Sequence, residues 1–491
     1  MTDELTRLAN GVVWPGFFGT TAPQWLLDEL RDGLAGVVYF GQNVSDDLGA
    51  LSADILAANP SALIGVDEEG GSVTRLERSG GSTLPGAAQL GVVDDVDATA
   101  AVGAELARRL RDVGANVALG PVADVNTNPR NPVIGVRAFG ADAALVSRHA
   151  AAMIDGIQHG GVAACAKHFP GHGDTHLDSH HSLPEITLDP AEYESVHLAP
   201  FRAAIDAGVD MIMTAHIVVP SWGDAPATLN PRILGMLREW GFDGVIVTDA
   251  LDMAAIRESV GIGEGAVRAL AAGADLLCIG NPTNPGAAAA ADQDERDFRA
   301  ARDAIVTALR EGVLSVDRVR EAAARVAALA ARLVVGDAVS DDQGSPSHDL
   351  VELVRRAVTS SGGVPATSGA LTVVDARRRS TLAIDTAADF VRDVLRDGGE
   401  VIRLDPADDR PHELTVPAGS TAVVVLDGPA LTTSQRRALS DAASRGAAVA
   451  VNVGLPVDEV LPLPVIDVRA ANRTGVTAAL SLIRGEGDGA A

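Results

Sequence analysis

The sequence predicts an α/β protein: a (β/α)8 TIM-type barrel followed by a smaller C-terminal α/β domain, an αβα sandwich. Three observations carry that expectation. Short β-branched or apolar runs alternate with alanine- and arginine-rich stretches at helical spacing through roughly the first 330 residues. Several helical stretches end in glycine just before the next run, as at Gly114, Gly161, Gly208 and Gly273, where a helix C-cap favours a residue without a Cβ. The runs number eight, and eight βα units in just over 300 residues fit a barrel better than an open sheet.

In order, strands are expected at 12–18, 36–40, 62–66, 115–119, 162–166, 210–214, 244–248 and 275–279, each followed by a helical pattern. Long helical patterns from about 295 to 333 complete a barrel domain at 1–335. Residues 336–348, rich in Ser, Asp and Gly, read as a linker. The C-terminal domain, 349–491, shows strands at 370–374, 401–404, 421–426, 448–453 and 465–468, with helical patterns at 386–396 and 433–445. It has no Gly-x-Gly-x-x-Gly and no Walker A sequence, so no nucleotide site is expected there.

Composition narrows the class. A formal net charge of -27 disfavours nucleic acid and anionic membranes as partners. No segment is long and apolar enough to span a bilayer, and the acidic N-terminus lacks an apolar signal region, so a cytoplasmic enzyme is expected. Cys165 and Cys278 both lie inside apolar runs and read as small buried hydrophobes.

A barrel places its function at the C-terminal ends of the strands. There the sequence has Asp67-Glu68-Glu69, Asp124, Lys167-His168, His216 and Asp249. Any one of these could merely cap a helix; their convergence on one rim is harder to explain that way. The loop from Lys167 to His181 holds five of the chain's eleven histidines. His168, His172, His176 and His180 recur every four residues, which on a helix would suggest a metal stripe. Pro170, Gly171 and Gly173 interrupt any helix, so neither a metal nor another cofactor is expected. Asp178 and His180, two apart, suit a carboxylate-oriented proton shuttle. Asp249, straight after a strand, suits a carboxylate nucleophile, with a helix N-cap as the plain alternative.

Lys167-His168-Phe169-Pro170-Gly171-His172-Gly173-Asp174-Thr175 followed by Asp178-Ser179-His180 resembles the signature of family 3 glycoside hydrolases, in their β-N-acetylglucosaminidase branch. Asp67-Glu68-Glu69-Gly70-Gly71, Asn131 through Gly140, and Val247-Thr248-Asp249-Ala250-Leu251-Asp252-Met253 resemble the same branch in the same order. The resemblance implies Asp249 as nucleophile, His180 as acid/base and Asp178 as its partner. It implies that Asp67, Arg75, Arg137, Lys167 and His168 hold the sugar hydroxyls. The implied activity is a retaining exo-β-N-acetylglucosaminidase acting on small muropeptide-derived or chitooligosaccharide glycosides. Glu68, Ser72, Val136 and Ala250 depart from residues common in the family and bear on fine specificity.

A neutral imidazole repels an anionic acceptor less than a carboxylate does. A phosphorylase using inorganic phosphate is therefore the alternative, and a non-catalytic amino-sugar-binding protein a more distant one. Gly171 and Gly173 are candidate hinges for bringing His180 to the sugar.

Overall fold

The computed structural model describes residues 4–176, 183–335, 349–378, 389–404 and 414–486. The chain forms two compact units. The first comprises Met1–Glu68, Thr99–Val125 and Asp142–Pro346; the second comprises Glu69–Ala98, Asn126–Ala141 and Ser347–Ala491.

The first unit contains β1 (Val13–Pro15), β2 (Gly36–Tyr39), β3 (Leu63–Val66), β4 (Val117–Ala118), β5 (Ala163–Phe169), β6 (Met211–Thr214), β7 (Val245–Val247) and β8 (Leu277–Gly280). Strands β2 to β7 form one parallel ladder in chain order, and β1 pairs in parallel with β8. A bridge between Val247 and Leu276 joins β7 to the chain entering β8. One hydrophobic core draws on all eight strands, through Trp14, Val38, Leu63, Val117, Cys165, Met211, Val245 and Cys278. A flat sheet cannot bring its first and last strands into one core, so this parallel sheet is curled. Helix Val316–Val335 adds Val326, Leu329 and Ala330 to the same core. Every residue of β5, β6 and β7 is buried, which is why β6, β7 and the first four residues of β5 read as largely apolar runs rather than alternating ones.

Each strand overlaps its expected run. One boundary matters: β5 continues three residues beyond 166, so Lys167 and His168 belong to the strand and not to a loop. Carboxylates at the opposite strand ends are structural. Asp275, just before β8, is fully buried and paired with Arg238, Arg318 and Arg325; Asp210, before β6, pairs with Arg332.

The second unit contains β9 (Thr359–Ser361), β10 (Leu371–Asp375), β11 (Glu400–Arg403), β12 (Thr421–Leu426), β13 (Ala448–Asn452) and β14 (Val465–Asp467), in spatial order β11-β10-β12-β13-β14-β9. All are parallel except β9, which runs antiparallel to β14. Successive residues of the central strands serve two different cores. Val373, Val423 and Val449 join helices Phe390–Arg396 and Arg473–Arg484; Val374, Val424 and Ala450 join helix Thr433–Ser444. The two early segments are tied in by distant hydrogen bonds. In 69–98, Ser72 Oγ accepts from the Ala471 N–H at 2.8 Å, and Asn472 Nδ2 donates to Gln89 Oε1 at 3.0 Å; in 126–141, Arg130 Nη2 donates to Asp458 Oδ2 at 3.2 Å. Among the described residues, no helix is long and apolar enough to cross a membrane.

Candidate active site

Four of the expected site residues stand at C-terminal strand ends of the first unit. Asp67 follows β3, Lys167 and His168 end β5, and Asp249 comes two residues after β7. Lys167 is almost wholly buried, and its Nζ donates to Asp67 Oδ1 at 2.8 Å. A buried ammonium needs such a partner, because desolvating it alone would be very costly. Asp67 is the more exposed member of the pair. Its neighbour Glu68 is buried.

His168 is oriented by Asp124, a residue the sequence marks only by its place after the fourth expected strand. Asp124 is fully buried; its Oδ2 lies 2.7 Å from His168 Nδ1, and its Oδ1 accepts the N–H of His172 at 2.6 Å and that of His168 at 3.2 Å. Burial alone would raise the pKa of Asp124. The charge and hydrogen bond of His168, aided by His172, outweigh it and hold the carboxyl down at about 2. An ionised carboxylate only accepts, so His168 Nδ1 carries the proton and its tautomer is set.

His172 has no carried-over role. It is buried, with Nδ1 2.9 Å from Thr175 Oγ1, and burial lowers its pKa to about 4. Gly171 has φ +122°, and a Cβ there would lie 2.9 Å from the Cβ of His197. The buried Tyr193 hydroxyl donates to the Gly171 carbonyl at 3.0 Å. A glycine is therefore required at 171 by conformation and close packing. The first part of the loop is pinned down on Asp124 and Tyr193.

These titrations predict acid sensitivity. An unfolded histidine titrates near 6.5 and binds protons that folded His172 refuses until about 4. Stability therefore falls as pH drops from 6.5 toward 4. Asp124 adds a second loss as pH falls from 3.8 toward 2, where its folded carboxyl finally protonates. Urea midpoints measured across this range should show both declines, and His172→Gln should flatten the first.

Asp249 sits among the same groups. Burial pushes the Cys165 thiol up to about 12, with Lys167 opposing and Asp67 and Asp249 adding to the rise. Burial likewise raises Cys278, which feels Asp249, Asp252 and Asp67. The two thiols, inside β5 and β8, thus mark where Lys167, Asp67 and Asp249 converge. The helix after β7, Ala254–Arg257, has Met253 at its N-cap, so Asp249 does not cap it. Asp249 Oδ1 accepts the adjacent Ala250 N–H at 2.8 Å. Buried His216 braces this turn from the end of β6. Its Nε2–H donates to the Ala250 carbonyl at 2.9 Å, and Nδ1 lies 2.8 Å from Thr228 Oγ1. Its position after a strand was visible in the sequence; its partner was not.

Arg75 and Arg137 belong to the second unit. Arg137 is buried and forks onto Glu69, Nη2 to Oε1 at 2.8 Å and Nε to Oε2 at 3.0 Å, while Nη1 donates to the Val133 carbonyl. Arg75 is half-buried. Asp178 and His180 lie outside the described residues. Among the described residues, no group of three His, Cys, Asp or Glu side chains is arranged to hold a metal.

Comparison with known proteins identifies the family. The chain is 33% identical over 365 residues to β-hexosaminidase A of Pseudoalteromonas piscicida, covering 68% of this chain and 60% of that protein. It therefore spans less than two thirds of that relative's length. It is 39% identical over 259 residues to a β-hexosaminidase of Chromobacterium violaceum, covering 50% of this chain and 72% of that protein. A solved family 3 β-N-acetylglucosaminidase from Paenibacillus sp. str. FPU-7 superposes with a TM-score of 0.81 at 27% identity, covering 99% of this chain and 97% of that one. Residues 20–329 match the glycosyl hydrolase family 3 N-terminal domain, well over half of the chain. The chain belongs to glycosyl hydrolase family 3.

Proposed function

We propose that the chain is a retaining exo-β-N-acetylglucosaminidase. It removes terminal GlcNAc from small glycosides, muropeptide-derived or chitooligosaccharide, in the cytoplasm during peptidoglycan recycling. In this reading residues 1–335 form a (β/α)8 barrel, 336–348 a linker and 349–491 an αβα sandwich. The observation that carries it is a carboxylate, Asp249, uncommitted to helix capping and grouped with the Lys167–Asp67 pair at the ends of the alternate strands β3, β5 and β7.

The mechanism follows from the chemistry of each group. Asp67 accepts from sugar hydroxyls, while Lys167, His168, Arg75 and Arg137 hold them, each hydroxyl being both donor and acceptor. Asp249 attacks the anomeric carbon as His180, oriented by Asp178, protonates the leaving oxygen. The glycosyl ester on Asp249 then yields to a water deprotonated by His180, with net retention. His216 keeps the Asp249–Ala250 turn aligned. His216→Ala should lower kcat on an aryl N-acetyl-β-glucosaminide by about 10- to 100-fold with KM little changed, since small misplacements of a reacting group cost that much. Unchanged kcat in steady-state assays would show that His216 does not position Asp249.

Product analysis on GlcNAc disaccharides, with and without phosphate, tests the reading. Free GlcNAc, released first as the β-anomer under both conditions, is expected. GlcNAc-1-phosphate as the main product would replace hydrolysis by phosphorolysis, and saturable binding without turnover would leave only a sugar-binding protein.

A further inference from the structure

The sheet of the second unit has a topological switch point. Strand β10 is followed by helix Phe390–Arg396, which packs in one core, and then by β11 on one side of β10. Strand β12 lies on the other side of β10 and is followed by helix Thr433–Ser444, which packs in the opposite core, and then by β13 beyond it. The connections leaving β10 and β12 therefore diverge to opposite faces. In open α/β sheets such a divergence leaves a crevice beyond the carboxyl ends of the strands, where ligands bind.

A cavity of about 250 Å³ lies there, closed by the early segment 129–136. That is room for about eight waters at roughly 30 Å³ each. Arg378, leaving β10, and Arg130 supply charge; Pro132, Val136, Val453 and Leu455 supply apolar wall. Asp427, leaving β12, accepts the Arg378 backbone N–H at 2.8 Å and its Nε at 3.2 Å. This fixes the guanidinium and leaves its Nη1 without a partner among the described residues. Arg130 pairs with Asp458 at 3.2 Å, but both are largely exposed, so that pair is weak and easily exchanged. Two glycines keep the crevice open. A Cβ on Gly428 would lie 2.6 Å from Arg378 Nη2, and one on Gly454 would lie 2.4 Å from the Asp427 carbonyl carbon. Each guanidinium has one carboxylate partner, Asp427 for Arg378 and Asp458 for Arg130, so the donors open to an anion are Arg378 Nη1 and the exposed Arg130 once it exchanges its weak pair.

We propose that this cavity binds a small organic anion, a carboxylate or phosphate on an apolar body, with Arg378 and Arg130 on the anion and the proline, valine and leucine walls on the body. The site lies within the second unit and does not rest on the hydrolase reading.

Calorimetric titration of the full chain with benzoate, phenyl phosphate and neutral benzyl alcohol tests it. At least one anion should bind saturably, and at least about tenfold more tightly than the alcohol; the tighter anion identifies the headgroup. Arg378→Gln should weaken that binding by about tenfold. Ala430→Phe, which fills the cavity, should abolish it; Arg130→Gln, at an exposed side chain that does not support the fold, should weaken it; and Asp249→Ala should leave it unchanged. The proposal is overturned if neither anion binds saturably, if Arg130→Gln and Arg378→Gln bind as wild type does, or if Asp249→Ala removes the binding.

Discussion

Asp249→Ala should lower kcat/KM on an aryl N-acetyl-β-glucosaminide by about 10⁴-fold or more, the scale seen when a covalent nucleophile is removed. The fold should survive. Asp249 is only partly buried and caps no helix, and its removal relieves a repulsion that helps raise the buried Asp252 carboxyl. The distinguishing result comes from azide. A small anion can occupy the space left by the carboxylate and attack the anomeric carbon, while the aryloxide leaves with the bonding electrons. Turnover should recover, and the product should be the α-glycosyl azide. A residue that merely stabilised the turn would give no azide rescue. Wild-type activity in Asp249→Ala would end the assignment.

Asp124 separates stability from chemistry. Asp124→Ala removes the acceptor for three hydrogens, the Nδ1–H and backbone N–H of His168 and the backbone N–H of His172. Each buried donor left unsatisfied costs about 1–3 kcal/mol. A loss of about 3–5 kcal/mol in urea unfolding is expected, with activity falling alongside it. Asp124→Asn is the sharper variant. The amide oxygen still accepts both backbone N–H groups, so the cost in stability should be much smaller than for alanine. The amide nitrogen, however, now donates toward His168 Nδ1, which must become an acceptor, and the proton moves to Nε2. If His168 works through Nε2, kcat/KM should drop by about 10²-fold or more with the fold intact, because the wrong tautomer faces the sugar. Equal activity in Asp124→Asn would show that Asp124 only supports the fold.

The contrast between local and distant information explains what could be read in advance. The runs around Val37, Ile64, Ile212 and Ile246 were recognisable as strands because they are short, apolar and bounded by helical patterns. Once those strands are placed, Asp67, Lys167 and Asp249 fall at strand ends by arithmetic. The limit of β5 was not legible. Lys167 and His168 are polar and followed by Pro170, so they read as loop; yet both are buried strand residues because Asp67 and Asp124, about 100 and 44 positions away, satisfy them. β9 was missed for the opposite reason: Thr359-Ser360-Ser361 is an exposed edge with no apolar signal. The attachment of residues 69–98 and 126–141 to the C-terminal sheet was also hidden, resting on pairs such as Gln89 with Asn472 and Arg130 with Asp458 that no local pattern announces.

The central claim is that Asp249 carries the sugar between the two steps. Mass spectrometry of enzyme quenched in acid during turnover of a slowly released fluorinated GlcNAc donor tests this directly. A mass increase of one glycosyl unit per chain, mapped by peptide digestion to Asp249, is expected. A glycosyl group on any other residue, or turnover with no adduct at any quench time, would contradict it.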